Sequence, residues 1–449
     1  MIPQPLTVLY QCPGEEHPIS RSVHLARLAA FYPKCRECEH RGETGQLPRQ
    51  TVTRLESTQH RAQRPSLFTA EGVRGIYLNE LTCEKAARIA GAWVSLLWDE
   101  IPRHGQSNED PFFAIPTYPQ DLSFRRGPSI VVSLDNRPSS PEVARAVAAS
   151  LRRMGCQVID VGVTTTPCFW HAVHHLDAAG GIQITGAGED PSWTGLEFVG
   201  RAAVPYSQGY GLEQIEQRFL SGYSRPTRQA FPQRTFEARV PYLAGLWKHF
   251  HALRPLKICC ATPNELVRNT LEELFEKLPC RLIWVPVSRR RRHLGSITDP
   301  DTKLVGQAIR DEQAHLGVLI DEDGQRTAFW NDHGLPISAE VVLRLLATFM
   351  LRDYPDLGVA IDSAGWESLE TQLAGLHVHC TQAGPTRARM ARALLEPSTI
   401  CGGGPSQRYW FREAYPTCDA ILALAKMLQL LSLQDARFSE LIQHSQRAA

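Results

Sequence analysis

The sequence predicts an α/β protein in which strands and helices alternate along most of the chain. Residues 129–134 have the pattern of a buried strand, residues 141–154 that of a helix, and residues 157–162 that of a second strand. The same order recurs after residue 256 and again after residue 338. Strand, helix and strand in succession indicate parallel strands joined by crossover helices. We therefore expect three consecutive α/β/α units with mixed, mostly parallel sheets.

Size and composition exclude several classes of protein. The chain has 449 residues, of which 43% are hydrophobic and 21% charged, enough for about three domains. Its formal net charge of +1 gives no general attraction to nucleic acid or to an anionic membrane. Twelve cysteines in so long a chain do not indicate a disulfide framework, and no apolar run has the length of a signal peptide or a membrane span. These features predict a cytoplasmic protein with neither a membrane nor a nucleic acid as its partner.

The N-terminal extension, residues 1–65, contains a possible zinc site. Cys12 and His17 form one close pair, Cys35 and Cys38 form a second, and a possible helix at residues 20–31 separates them. Two such pairs can close a tetrahedral zinc site, with His40 as a substitute ligand; alternatively the cysteines are free thiols. Residues 41–66 are polar, with scattered proline and glycine, and predict a linker.

Two clusters of basic residues have less specific interpretations. Four arginines at 289–292 have the composition of a phosphate or nucleic-acid site, but a single run inside a loop favours a solvated surface. His171, His174 and His175 recur at helical spacing without an evident carboxylate, which favours a helix face over a metal site.

A glycine-rich stretch at 181–195 predicts a tight loop at a strand end. Gly186 and Gly188 permit backbone conformations that other residues avoid, and Pro191 prevents a helix from continuing through the turn. The stretch resembles the phosphoserine loop of the α-D-phosphohexomutases, the family of phosphoglucomutase and phosphomannomutase. Thr185 matches the family wording, but Ala187 stands at the position of the phosphorylated serine. A methyl group cannot carry or transfer a phosphoryl group.

Two arginines lie in further stretches that resemble this family. Residues 68–75 resemble its opening Phe-Gly-Thr-Asp-Gly-Ile-Arg-Gly and retain Arg74, which could reach a substrate phosphate. The loop at 135–140 has the form Asp-x-Arg-x-Ser-Ser, and the resemblance makes Arg137 an active-site arginine.

The resemblance also implies a magnesium loop, Asp-Gly-Asp-x-Asp-Arg, at residues 321–326. Asp321 and Asp323 match its first two carboxylates, whereas Gln325 replaces the third and Arg326 is retained. The neutral amide removes one negative charge, so we expect weakened Mg²⁺ binding. Glu322 could compensate for the lost charge, although a side chain at that position points the other way if the loop keeps the family's shape.

The family's sugar-reading loop, Gly-Gly-Glu-x-Ser-Gly-His, resembles residues 402–408. Ser406 matches, but Gly404 replaces the glutamate that bonds the sugar hydroxyls, and Arg408 replaces the histidine. The resemblance thus assigns substrate binding to the following residues: Arg74, Arg137, Thr185, Arg326, Ser406 and Arg408.

The resemblance covers about residues 66 to 432 and gives the domain boundaries. They are 1–65 for the extension and linker, 66–235, 236–336 and 337–432 for three phosphohexomutase-like domains, and 433–449 for a C-terminal tail. We expect that tail to be too short to form the family's fourth, phosphate-holding domain.

These departures predict a phosphoglucomutase- or phosphomannomutase-like protein of carbohydrate metabolism that is catalytically inactive. It would bind a hexose phosphate or act in regulation, and could dock a protein partner through its extension. The alternative is an active phosphohexomutase, an isomerase that uses another phosphoryl acceptor such as Thr185 or Ser192.

Overall fold

A computed structural model describes most of the chain. The described residues are 9–12, 17–30, 32, 35, 38–60, 66–100, 127–227, 230–290, 292–374, 378–414 and 417–447. None of the helices in this part of the chain has both the length and the apolar character needed to cross a bilayer.

The described strands and helices follow the alternating order expected from the sequence. The strands are β1 Leu9–Tyr10, β2 Ile19–Ser20, β3 Phe68–Thr69, β4 Gly72–Ile76, β5 Ser129–Leu134, β6 Gln157–Val163, β7 Gly180–Ile184, β8 Trp193–Val199, β9 Gln233–Thr235, β10 Lys257–Ala261, β11 Arg281–Val285, β12 Leu316–Ile320, β13 Thr327–Trp330, β14 Gly358–Asp362, β15 Cys380–Ala383, β16 Thr399–Gly403, β17 Trp410–Phe411 and β18 Thr417–Cys418. The α-helices are α1 Arg21–Ala29, α2 Arg49–His60, α3 Cys83–Glu100, α4 Ser140–Arg153, α5 Thr166–His175, α6 Leu212–Ser221, α7 Arg239–Trp247, α8 Glu265–Phe275, α9 Pro300–Glu312, α10 Ala339–Leu351, α11 Trp366–Ala374, α12 Arg387–Leu395, α13 Ala420–Ser432 and α14 Phe438–Arg447.

Beyond the β1–β2 hairpin, the described strands form three sheets with parallel centres. The first has the order β3-β4-β8-β7-β5-β6-β9, the second β11-β10-β12-β13, and the third β15-β14-β16-β17-β18. Strand β5 pairs in parallel with β6 and β7, β10 with β11 and β12, and β14 with β15 and β16. Antiparallel strands such as β13 and β17 lie toward the edges. The prediction of an α/β protein with mixed, mostly parallel sheets is confirmed.

Both faces of the first sheet are buried, which explains the apolar sequence of β5. Ile130 and Val132 enter a core formed with α3 and α4, whereas Val131 faces the opposite core, which also contains Ile258 of the second sheet and Val359 of the third. A strand covered on both faces needs apolar residues at consecutive positions. The core that contains Val131 therefore extends across all three sheets.

The loop at 321–326, which follows β12, touches elements of all three sheet units. Its main-chain carbonyls accept hydrogen bonds from Thr166 N at the start of α5 (3.0 Å), from Asn264 Nδ2 before α8 (2.6 Å) and from Ala420 N at the start of α13 (3.0 Å). Each donor lies at the start of a helix. Two are backbone N–H groups that have no partner within their own helix, and the third is a side chain at a helix-capping position. The loop is therefore fixed from three directions.

The structure corrects the prediction of a linker at 41–66. Helix α2 occupies residues 49–60, and its Leu55 packs with Leu28 of α1 and with Cys35 in a small separate core. The mean hydropathy of α2 is low, so the polar composition hid the helix. The extension thus contains packed secondary structure of its own.

After α13 the chain forms one further helix, α14, which packs against the preceding units. Phe438 and Leu441 are buried in the large shared core. Ser439 donates from its N–H (2.8 Å) and its hydroxyl (3.1 Å) to the carboxylate of Asp332. The residues expected to form a tail therefore form a helix that packs through one apolar face, and Asp332 accepts hydrogen bonds at the start of that helix.

Asp419 joins the third unit to the second. Its carboxylate caps α13 by accepting hydrogen bonds from Ile421 N (2.9 Å) and Leu422 N (3.2 Å), and it also accepts one from the hydroxyl of Tyr242 in α7 (2.8 Å). Burial raises the pKa of Asp419 to about 6. Because the folded protein holds this proton more tightly than the unfolded chain, the associated stabilisation is present below the unfolded pKa and is lost as pH rises through about 6.

We therefore expect Asp419→Asn to become more favourable relative to the parent chain as pH rises. Asparagine can still cap the helix but cannot ionise. Relative to the variant, the parent should lose on the order of 2 kcal/mol between about pH 4.5 and 8. The measurement is the urea midpoint of both proteins across that range. Asp435→Asn, at an exposed carboxylate, is the control; a difference between parent and Asp419→Asn that does not change with pH would contradict the assignment.

Candidate functional site

The centre of the site is the acidic loop 321–326. Asp321 is almost fully buried, and its Oδ1 accepts hydrogen bonds from the backbone N–H groups of Gln325 (3.0 Å) and Arg326 (3.1 Å). Its Oδ2 accepts from Arg326 Nε at 2.7 Å. Although burial opposes ionisation, Arg326 outweighs it and lowers the pKa of Asp321. Asp321 is thus a carboxylate held by its own loop.

Asp323 and Gln325 are paired within the same loop. Asp323 Oδ1 accepts from Gln325 N (2.9 Å), and its Oδ2 accepts from Gln325 Nε2 (2.8 Å). The side-chain oxygen of Gln325 in turn accepts from Arg387 Nη1 (3.3 Å) and from the thiol of Cys418 (3.4 Å). Burial and the neighbouring charge of Asp321 raise the pKa of Asp323 well above its usual range.

These side chains, as they lie, do not fit a divalent cation. Mg²⁺ needs several oxygen ligands in an octahedral arrangement and usually binds through carboxylates. Each carboxylate oxygen of Asp321 and Asp323 already accepts a hydrogen bond from the loop, and the Gln325 amide directs its N–H toward Asp323. Among the described residues, no group of three or more His, Cys, Asp or Glu is arranged to hold a metal ion.

Glu322 points away from this centre, as the sequence predicted. Both its oxygens accept from Arg137 Nη2 at 2.8 Å, and Arg289 Nε lies 3.0 Å from its Oε1. It therefore serves as a counter-ion for two arginines on other elements.

Arg137 holds the loop between β7 and β8 in place. Its guanidinium donates to the main-chain oxygens of Asp190 (2.7 Å), Trp193 (3.0 Å) and Glu189 (3.0 Å) as well as to Glu322. The residue is 1% exposed. The structure thus places this predicted substrate-binding residue inside the wall of the site.

The arginine run is explained by acidic partners within the chain. Arg290 bonds Asp299 and lies 2.8 Å from Asp301, which also pairs with Arg292 at 3.1 Å. Arg289 pairs with Glu322. The described members of the run therefore serve to hold the loop between β11 and α9, rather than presenting a free cationic surface.

Ala187 lies in a tightly folded turn of the loop after β7. Its backbone N–H donates to the hydroxyl of Thr185 (3.0 Å), and Gly186 N donates to Asp135 Oδ2 (3.0 Å). A Cβ at Gly186 would clash with the carbonyl of Trp193 and with Arg137, while Gly188 has a φ of +83°. Thr185, 1% exposed, thus supports the turn with its side chain.

A buried ion network that the sequence did not reveal lies beside these loops. Arg387 Nη1 donates to Glu197 Oε2 (2.7 Å), its Nε donates to Glu71 Oε2 (3.0 Å), and Arg74 bonds the other oxygen of Glu197. Burial alone would raise the pKa of Glu197, but Arg387 and Arg74 lower it to about 2. Arg74, predicted to bind substrate, is therefore paired inside the protein.

Arg326 and Arg408 face one another across an isolated antiparallel bridge. Side chains directly opposite in such a bridge project to the same face. Both residues are partly exposed, and the buried Nε of Arg408 lacks a hydrogen-bond partner among the described residues. Ser406 is adjacent, and its hydroxyl accepts from Arg408 N at 3.4 Å. Of the predicted substrate-binding residues, these three lie together.

The zinc prediction for the extension finds no support. Cys12, Cys35 and Cys38 are buried, and burial together with the two neighbouring thiols raises the pKa of Cys35 to about 11. His17 is exposed, however, and no metal-binding group is present in the described part of the extension. His40, the substitute ligand, bonds Glu43 Oε1 at 2.8 Å.

The histidines at helical spacing form a packed face of α5. His171 stacks on His175 and contacts Tyr242 edge-on. Burial lowers the pKa of His171 to about 4. The preference for a helix face over a metal site agrees with this packing.

Loss of the Glu197 charge should destabilise the fold strongly. Glu197→Gln leaves the buried Arg74 without its counter-ion and Arg387 with Glu71 as its remaining carboxylate partner, which costs about 3 kcal/mol at neutral pH. Because the folded pKa is lowered, the stabilisation is present above the unfolded pKa and is lost as pH falls through about 2. The measurement is the urea midpoint of variant and parent from about pH 8 down to 3. The control Glu272→Gln removes an exposed pair with Arg268 and should cost under about 1 kcal/mol; equal losses would show that the network contributes little.

Comparisons with known proteins agree with this architecture. Residues 114–225 match the family model described as phosphoglucomutase/phosphomannomutase, alpha/beta/alpha domain I. A phosphoglucomutase/phosphomannomutase of Thermococcus kodakarensis is 26% identical over 392 residues, covering 84% of this chain and 79% of the relative.

Solved structures show the same fold. A phosphoglucomutase/phosphomannomutase family protein from Burkholderia thailandensis superposes with a TM-score of 0.69 at 21% identity, covering 84% of this chain and 79% of the other. A putative phosphomannomutase from Thermus thermophilus gives a TM-score of 0.66 at 21% identity, with coverage of 86% and 84%. The family model and the curated relative therefore support a place for this chain in the α-D-phosphohexomutase superfamily, and the solved structures show that it has the same fold.

Proposed function

We propose that this protein binds a hexose phosphate on the phosphohexomutase scaffold without transferring its phosphoryl group. The observation that carries the proposal is Ala187, which occupies the turn where the family resemblance locates the phosphoserine. An alanine side chain has no oxygen to accept or donate a phosphoryl group. Such a protein would act as a sensor or regulator in carbohydrate metabolism.

The neighbouring hydroxyls are poor substitutes for the missing serine. The Thr185 hydroxyl is buried and accepts a hydrogen bond from Ala187 N, so attack on a phosphate would require the turn to open. Ser192 is half-buried near the other end of the loop, where its carbonyl is bonded to Tyr77 N at 3.0 Å. An active mutase that uses either hydroxyl is the alternative.

Phosphate binding itself is supported by the arginine pair. Arg326 and Arg408 lie opposite one another on a partly exposed face; Arg326 is paired with Asp321, whereas the Nε of Arg408 has no hydrogen-bond partner among the described residues. Guanidinium groups hold phosphate oxygens through paired hydrogen bonds and need no chemistry to do so. In a regulatory role, a protein partner would bind the N-terminal extension and recognise the ligand-bound form of this protein.

We expect calorimetric titration to detect binding of a hexose phosphate such as glucose 1-phosphate, mannose 1-phosphate or glucosamine 1-phosphate. Arg408→Gln should weaken binding about 10-fold or more, because a hydrogen bond from a charged donor contributes about 1.5 to 3 kcal/mol. Arg389→Gln is the matched control, since Arg389 is exposed and its guanidinium lies over Tyr210. Equal weakening by both variants would argue against a specific site at Arg408.

A coupled mutase assay on the same sample should show no turnover above background. Turnover that is abolished by Asp323→Ala would overturn the non-catalytic assignment and support the alternative with another acceptor. Binding without turnover supports a sensor.

A further inference from the structure

The acidic loop 321–326 meets its requirement for positive charge from within the chain. In proteins, clustered buried carboxylates need a bound cation, basic side chains or a proton to compensate their charge. Here Arg326 pairs directly with Asp321, and the Gln325 amide bridges Asp323 to Arg387. The third position of the loop thus contacts a guanidinium.

Arg387 is brought to this place by the tertiary fold. It is the first residue of α12, is 4% exposed, and lies 62 residues beyond Gln325 in the chain. Glu71 fixes its Nε, and Glu197 together with Gln325 Oε1 fixes its Nη1. With partners on several sides, the guanidinium cannot turn away without breaking its bonds to Glu71 and to the buried Glu197.

The balance of charge around the loop opposes a divalent ion. Arg326, Arg387 and Arg408 all lie close enough to act electrostatically on the loop or on its neighbour Cys418. The loop itself offers Asp321 and Asp323 at the family's metal positions, with Gln325 neutral. A cation entering here would have to displace hydrogen bonds from both carboxylates and would meet three positive side chains.

We propose that this site takes no divalent cation, and that the Arg387 guanidinium supplies the positive charge at the third position of the loop. The inference rests on the proposed function only for the identity of the anion, a phosphate monoester held by arginine alone. It predicts that binding is independent of Mg²⁺.

Arg387, rather than Gln325 alone, determines this property. An aspartate at position 325, although one methylene shorter than glutamine, would place its negative charge near the Arg387 guanidinium, which now bonds the amide oxygen at 3.3 Å, and would be attracted to it. Restoring the third carboxylate should therefore not restore a metal site while Arg387 is present.

The test uses Mn²⁺ alone, followed by electron paramagnetic resonance of the free ion, with the full chain and no sugar phosphate. We expect the signal of free Mn²⁺ to be unchanged by the parent protein up to millimolar concentrations. A stoichiometric site in the parent that Asp323→Asn abolishes would overturn the proposal. An unchanged signal with the parent protein supports the proposal by itself; the variant is needed only to locate a site if one is found.

Variants then test the role of Arg387. Gln325→Asp should remain unable to bind Mn²⁺, whereas Gln325→Asp combined with Arg387→Met should bind one ion per chain. Binding by Gln325→Asp alone as tight as that of the double variant would show that Arg387 does not substitute for the ion. Circular dichroism confirms folding; if the double variant does not fold, the parent and the single variant decide the question.

Titration of a hexose phosphate with and without EDTA separates this inference from the proposed function. Equal affinity in both conditions supports metal-independent binding. Loss of binding in EDTA, regained with Mg²⁺, overturns the inference but leaves sugar-phosphate binding intact. If the chain binds neither Mn²⁺ nor sugar phosphate, the proposed function is contradicted and the inference about the metal stands.

Discussion

The buried guanidinium of Arg387 is the constraint on which the arrangement of the site depends. A charge taken out of water must be compensated nearby, and here the compensation comes from Glu71 and Glu197 of the first sheet unit. The same group bonds Gln325 in the second unit while standing at the start of a helix in the third. One side chain thereby helps to fix the positions of the three units relative to one another.

The arginines predicted from the sequence divide into two sets by their partners. Arg74 and Arg137 are buried and neutralised by carboxylates of this chain, so they hold the surrounding structure of the site in place. Arg326 and Arg408 remain partly exposed on one face. Residue identity alone cannot separate these sets, because the difference lies in which carboxylate is close in space.

Local sequence patterns predict most of the fold, whereas most of the site depends on contacts between residues that are far apart in the chain. The predicted strand at 129–134 coincides with β5, since periodicity is encoded within a few residues. Arg387 and Glu197 are 190 residues apart, and nothing in either neighbourhood indicates the pair. Helix α2 escaped detection because Leu55 is its main apolar anchor.

The main chain of the loop at 321–326 is held by donors from α5, from the cap of α8 and from α13. Rotation of one unit against another would break these hydrogen bonds and leave the carbonyl groups without partners inside the protein. Domain closure around a ligand would therefore carry an enthalpic cost in this molecule, and the site is preorganised. Association should then follow a single kinetic phase set by encounter, with little of the ordering entropy that a hinged receptor loses on binding.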